Sequence, residues 1–208
     1  MNGWAWAALV LFLGWAVIAF GVRAAMQRRR TGDAGFRGIS GRPGSASWWA
    51  GVLFVLSLVG GAVAPVAALV GLDSIFGLET TPVQWAGLLV AVAGIAATLV
   101  AQSTMGSSWR VGVDASERTD LVTSGLFAHV RNPVFTAMVV TAAGLALMVP
   151  NVVAVLTWLT LIAAVQLQVR IVEEPYLSRL HGPDYVAYTA RAGRFVPGVG
   201  RNGVGGRA

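Results

Sequence analysis

The chain has 208 residues, of which 56% are hydrophobic and only 12% charged, with a mean hydropathy of +0.69. A soluble domain carries about 25% charged residues, so this composition excludes an ordinary water-soluble fold and points to the membrane. All 15 basic residues are arginines and the net charge is +6. In this context the excess serves topology and anionic lipid headgroups, and no nucleic-acid partner is expected. Zero cysteines exclude disulfides, thiolate metal sites and a cysteine nucleophile. With His129 and His181 as the two histidines, no metal centre is expected.

A hydrocarbon core of roughly 30 Å takes about 20 apolar residues as a helix. Backbone groups in lipid must bond within the segment, so apolar runs there are helices. Five runs come near that length, at 4–22, 48–70, 85–101, 134–149 and 151–169. The expected fold is therefore an all-α integral membrane protein with five transmembrane helices. No positive charge precedes the first run and arginines follow it, the reverse of a secretory leader, so that helix is expected to be retained.

Residues 24–47 carry Arg28, Arg29 and Arg30, then Gly32, Gly35, Gly38, Gly41, Pro43 and Gly44, and read as a flexible connector. Gly60, Gly61 and Pro65 are tolerated in the second span. Gly87 and Gly94 in the third suit close helix packing. Pro150 and Asn151 leave room only for a tight turn, so the last two spans form a hairpin. The Gly-rich stretch 198–208 is expected to be disordered. This divides the chain into a three-helix region with its loop (1–104), a core containing the hairpin (105–197) and a tail (198–208).

Charge orients the layout. Arginines lie between spans one and two, after span three and after span five, whereas the loop between spans two and three carries only Asp73 and Glu79. Short arginine-rich loops stay cytoplasmic, which puts the N-terminus outside and the C-terminus inside. Both open ends of the hairpin then emerge on the arginine side. Topology alone brings 125–133 beside 170–174, although they are far apart in sequence.

The first of these segments contains Gly125, His129, Arg131, Asn132 and Pro133. Pro133 suits a helix start, where its missing N–H costs nothing, and the free N–H groups there favour an anionic group. An amphipathic approach to the membrane with Arg131 snorkelling is the plainer account. The second contains Arg170, Glu173 and Glu174, followed by His181-Gly182-Pro183, a turn signal, and by Tyr185 and Tyr188. Paired carboxylates at a membrane helix end need water, cations or a ligand. Arg170 and Glu174, four apart on a helix, are placed to pair.

The strings LVTSGLFAHVRNPVF, EEPYLSRLHGPDYVAY and RFVP, with the apolar hairpin between the first two, resemble the isoprenylcysteine carboxyl methyltransferase family and its membrane phospholipid methyltransferase relatives. The resemblance covers 105–197. It implies an S-adenosylmethionine-dependent methyltransferase with a cytosolic cofactor pocket, acting on a lipophilic acceptor such as the carboxylate of an isoprenoid or prenylcysteine-like molecule. It implies Leu121, Val122, Gly125, Phe127, His129, Asn132, Pro133, Phe135, Glu173, Glu174 and Tyr185 as cofactor contacts. Arg170, Arg131 and Glu174 are the implied catalytic group. Many members have His where this chain has Asn132, which keeps hydrogen bonding but cannot exchange a proton.

Two other readings compete. A membrane NADPH-dependent reductase of the sterol or steroid type would use Arg110, Arg118, Arg191 and Arg194 for the second cofactor phosphate. A non-enzymatic scaffold or transporter is disfavoured because the spans hold almost no ionisable group at mid-membrane.

Overall fold

The computed structural model describes residues 2–75, 77–112 and 120–202. Among these residues the secondary structure is helical, apart from two isolated strand-type pairings. Helix α1 (Asn2–Ala16) passes through a π-helical segment (Val17–Val22) into α2 (Arg23–Thr31). Then come α3 (Ala46–Leu69), α4 (Thr81–Thr104), α5 (Pro133–Met148) and α6 (Val152–Leu167). A second π-helical segment (Gln168–Glu173) leads into α7 (Glu174–Arg191).

Local chemistry sets the starts. The Ser45 hydroxyl accepts the Trp48 N–H at 3.2 Å, and the Asn151 side-chain oxygen accepts the Ala154 N–H at 2.9 Å. Each satisfies one of the orphan donors at a helix start. Pro82 and Pro133 occupy first turns, where no N–H bond is lost.

Among the described residues, four helical stretches are long and apolar enough to cross a membrane: Gly3–Thr31, Ala46–Leu69, Thr81–Thr104 and Val152–Arg191. Val10, Leu56, Leu89 and Leu156 stand exposed on their outer faces, as lipid-facing side chains do. The fifth expected span, α5, has 16 residues. At 1.5 Å per residue it is about 24 Å long, short of the hydrocarbon thickness.

That short helix is held by contact. It packs most extensively on α4, while α6 packs on α3, and both pairings exceed the contact of α5 with α6. The hairpin is thus a topological unit more than a packing unit. Between α4 and α5 the backbones nearly touch. A Cβ on Gly94 would lie 2.6 Å from the Thr141 nitrogen, and one on Gly144 would lie 2.3 Å from the Ala91 nitrogen. Small residues permit this approach, and dispersion across it replaces the hydrophobic drive that lipid cannot supply.

The two ends of the bundle differ. At one, the Asn151 side chain donates to the Ala64 carbonyl at 2.9 Å, and the Ile75 N–H donates to the Pro150 carbonyl at 2.7 Å. The hairpin turn is therefore tied to the loop that carries Asp73 and Glu79. At the arginine end, residues 24–31 continue as helix, where the sequence suggested a loop. The first residue of α2, Arg23, donates to the carbonyls of Gly106 (2.6 Å) and Gln102 (3.3 Å). The Gln102 amide donates in turn to the Ala19 carbonyl at 3.1 Å, inside the first π-helical segment.

The following residues, 32–45, cross this end as a strap. Arg37 N–H donates to the Val111 carbonyl at 3.0 Å and Val111 N–H to the Gly35 carbonyl at 2.8 Å. Gly35 has φ +78°, and a Cβ there would sit 3.0 Å from the Trp109 ring, so glycine is required twice over.

Candidate active site

The segment before α5 and the chain after α7 are joined at the backbone. Arg131 N–H donates to the Gly193 carbonyl at 2.7 Å, Gly193 N–H to the His129 carbonyl at 3.0 Å, and Asn132 N–H to the Arg194 carbonyl at 3.2 Å. Asn132 and Thr136 add side-chain bonds to the carbonyls of Arg194 (3.0 Å) and Phe195 (2.8 Å). A Cβ on Gly193 would fall 2.0 Å from the Val196 carbonyl oxygen, so this return of the chain accepts only glycine.

Arg131 is the centre of the cluster. Its Nη1 donates to the carbonyls of Thr189 (3.2 Å) and Ala192 (2.7 Å), which caps the end of α7. Its Nη2 donates to Glu174 Oε1 (2.9 Å) and the Gly200 carbonyl (3.1 Å). Glu174 is gripped again by Arg194, Nε to Oε1 at 2.7 Å and Nη2 to Oε2 at 3.0 Å. This two-point fork is the strong form of a charged hydrogen bond. The hydrogen bond to Glu174 holds the Arg194 guanidinium pKa above its ordinary value, burial opposing it. Residues 198–200, assigned from sequence to the tail, form a turn within this cluster, while 203–208 lie outside the described residues.

Beside the cluster lies a cavity of about 380 Å³. That volume falls in the range of small-molecule sites. Its charged end is lined by Arg110, Asp120, Arg131, Glu173, Glu174 and Tyr185, and its apolar end by Phe20, Phe54, Val55, Leu58 and Met138. Phe36, Gly38 and Ile39 of the strap and Trp109 also line it. The space thus runs from the arginine end down between α3 and α5. Tyr188, whose hydroxyl donates to the Phe127 carbonyl at 2.7 Å, fixes one wall.

Of the residues named from sequence, Leu121, Val122, Phe127, Arg131, Asn132, Pro133, Phe135, Glu173, Glu174 and Tyr185 line this one cavity. Gly125 and His129 are not in the lining. Gly125, at φ +58°, turns the chain with its Cβ position 3.0 Å from Thr104. His129 is exposed, and its backbone carbonyl carries its contribution. Arg170 is also outside. Its side chain is exposed and its Nε donates to Gln166 at 2.8 Å, so the expected pair with Glu174 does not form. The physical reason is the π-helical segment at Gln168–Glu173. Its wider turn shifts the phase of the helix and rotates Glu174 off the face that Arg170 occupies.

The two acidic neighbours differ in their partners. Glu174 is saturated by two guanidiniums. Among the described residues Glu173 accepts a long hydrogen bond, from the Gln168 amide at 3.4 Å, and lines the cavity. Arg194 took no part in the motif-based site, because a lone arginine after α7 does not announce its partner. Arg110, which the sequence offered only to the reductase reading together with Arg194, lies over the Tyr176 ring at 5.3 Å, on the cavity wall. For the reductase cluster, Arg194 is bound to Glu174, Arg191 is exposed and Arg118 lies outside the described residues. The His181-Gly182-Pro183 turn signal appears as a kink in α7, with Gly182 at φ +49°.

Among the described residues, the helical bundle thus holds a cavity lined by charged side chains toward the arginine end and by apolar side chains of α3 and α5. Residues 83–184 match the family model of the phospholipid methyltransferases, and over this stretch the chain belongs to that family of membrane methyltransferases. No curated protein matches the chain at comparable strength.

Proposed function

We propose that the protein transfers the methyl group of S-adenosylmethionine to a lipophilic acceptor whose tail occupies the apolar half of the cavity. The supporting observation is the continuity of that cavity, which joins the charged cluster to the side chains of α3 and α5 in one space.

The donor set fits the cofactor. Glu173 offers a carboxylate for its cationic groups, and Leu121, Val122, Phe127 and Phe135 offer apolar surface. Arg131 retains a buried Nε that has no partner, a donor suited to a carboxylate. Bound there, the cofactor supplies a methyl group already activated by the sulfonium charge. The protein then has to align the acceptor atom, and positioning of this kind contributes up to about 7–11 kcal/mol.

Arg110 takes the acceptor-side role that the motif alone gave to Arg170, holding an anionic head such as a carboxylate without any general base. The Arg131–Glu174–Arg194 cluster keeps the start of α5 and the end of α7 in register, a positioning role. The strap and Trp109 shield the cavity from water, which strengthens the charged contacts inside. The arginine end faces the cytoplasm.

Calorimetry on detergent-solubilised protein tests the reading. Saturable binding of S-adenosylmethionine, with none of NADPH, is expected. The reverse result would assign the same cavity to a reductase.

A further inference from the structure

A second, smaller cavity lies deeper in the bundle, among α1, α3, α5 and α6. Its volume is about 40 Å³ and no charged residue lines it. Leu58 and Met138 line both this cavity and the large one. The two side chains thus stand as a shared wall at the apolar end of the site. Met138 is only 2% exposed and belongs to the buried core, with Leu58 packed against that core. The space behind the wall, about 40 Å³, is far smaller than the 380 Å³ in front of it, so a long tail enters it only if the wall opens.

The charged mouth fixes one end of any amphiphile in the large cavity, so the distance from mouth to wall limits its tail. We infer that Leu58 and Met138 are the floor of the acceptor site and set the longest hydrocarbon tail it accepts. The small cavity is the room into which a longer tail would pass. The inference rests on the methyl-transfer reading for the identity of the head group, while the length limit belongs to the cavity itself.

Each methylene buried raises affinity about fourfold. Affinity should therefore climb with tail length until the chain meets the wall, and then stop climbing. The test uses straight-chain carboxylic acids from octanoic to stearic, measured by displacement of a fluorescent fatty acid from the purified protein. The wild type should show a break in the series. Leu58→Ala combined with Met138→Ala should move the break to longer acids, with a gain of at least about fourfold for the acid just beyond the wild-type break. Leu58→Phe should move it to shorter ones, and this variant decides the matter if the double variant does not fold. Val59→Ala, on the outward face with 55% exposure, should leave the break in place.

An unmoved break in folded variants overturns the proposal. So does a wild type that binds none of the acids or shows no break. S-adenosylmethionine binding, titrated in parallel, separates the two readings. Its absence beside a movable break removes the methyltransferase and keeps the floor.

Discussion

Glu173 and Glu174 are adjacent and chemically identical, yet their surroundings give them opposite work. Glu174 receives three hydrogen bonds from Arg131 and Arg194, so Glu174→Gln should weaken the joint between α5 and α7. A hydrogen bond to a charged group contributes about 1.5–3 kcal/mol, and thermal melting in detergent should register a loss of that order. Glu173→Gln should leave the melting temperature unchanged while lowering S-adenosylmethionine affinity about tenfold to a hundredfold. If both variants lose stability equally, the division is wrong. Arg170→Ala should be silent in both measurements, within about 0.5 kcal/mol, because its side chain faces outward. Loss of turnover in that variant would return Arg170 to the site. At this scale the sequence was partly readable: the Arg-Asn-Pro and Glu-Glu units come together on one cavity. Side-chain direction was not readable, because one π-helical turn separates Arg170 from Glu174 and the residue spacing carries no mark of it.

The same turn matters at the scale of the element. Gln168–Glu173 forms wider turns than the α-helix on either side, and that phase carries Glu173 and Glu174 to the cavity. Inserting an alanine after Val172 should shift the helical phase by about 100°, swing both carboxylates off the wall and abolish cofactor binding while the apolar span stays helical. Circular dichroism and titration together check this, and retained binding would count against the phase argument. The seam of α4 with α5 offers a different lever. Gly94→Val would push a side chain into the Thr141 backbone, and overpacking of this kind costs about 1–3 kcal/mol. A melting temperature equal to wild type would mean that the helices part without penalty. Hydropathy located the four long apolar helices, the shorter α5 and the tight turn of the hairpin. It could not say that α5 would lean on α4 more than on α6, because small residues show that a close approach exists without naming the partner.

For the whole molecule, charge and fold agree. The loop with Asp73 meets the hairpin turn at one end, and the described arginines gather at the other. The native chain has no cysteine, so single cysteines report cleanly on sidedness. Asp73→Cys should react with an impermeant thiol reagent from outside intact cells, and Arg42→Cys only after lysis. The opposite pattern would invert the orientation and move the cavity mouth to the outer face. Spans and charge asymmetry were legible because lipid imposes them on composition. The strap was not, since its order comes from pairing with Val111, far along the chain. The Arg131 cluster also bears on assembly during synthesis. Arg131 caps α7 and holds the Gly200 carbonyl, and the chain before α5 pairs with Gly193 and Arg194. The apolar helices can therefore all be made before the pocket has a fixed mouth. The joint forms only once the short stretch beyond α7 is present, so on the proposed reading a chain ending at Ala192 would be helical yet unable to bind S-adenosylmethionine.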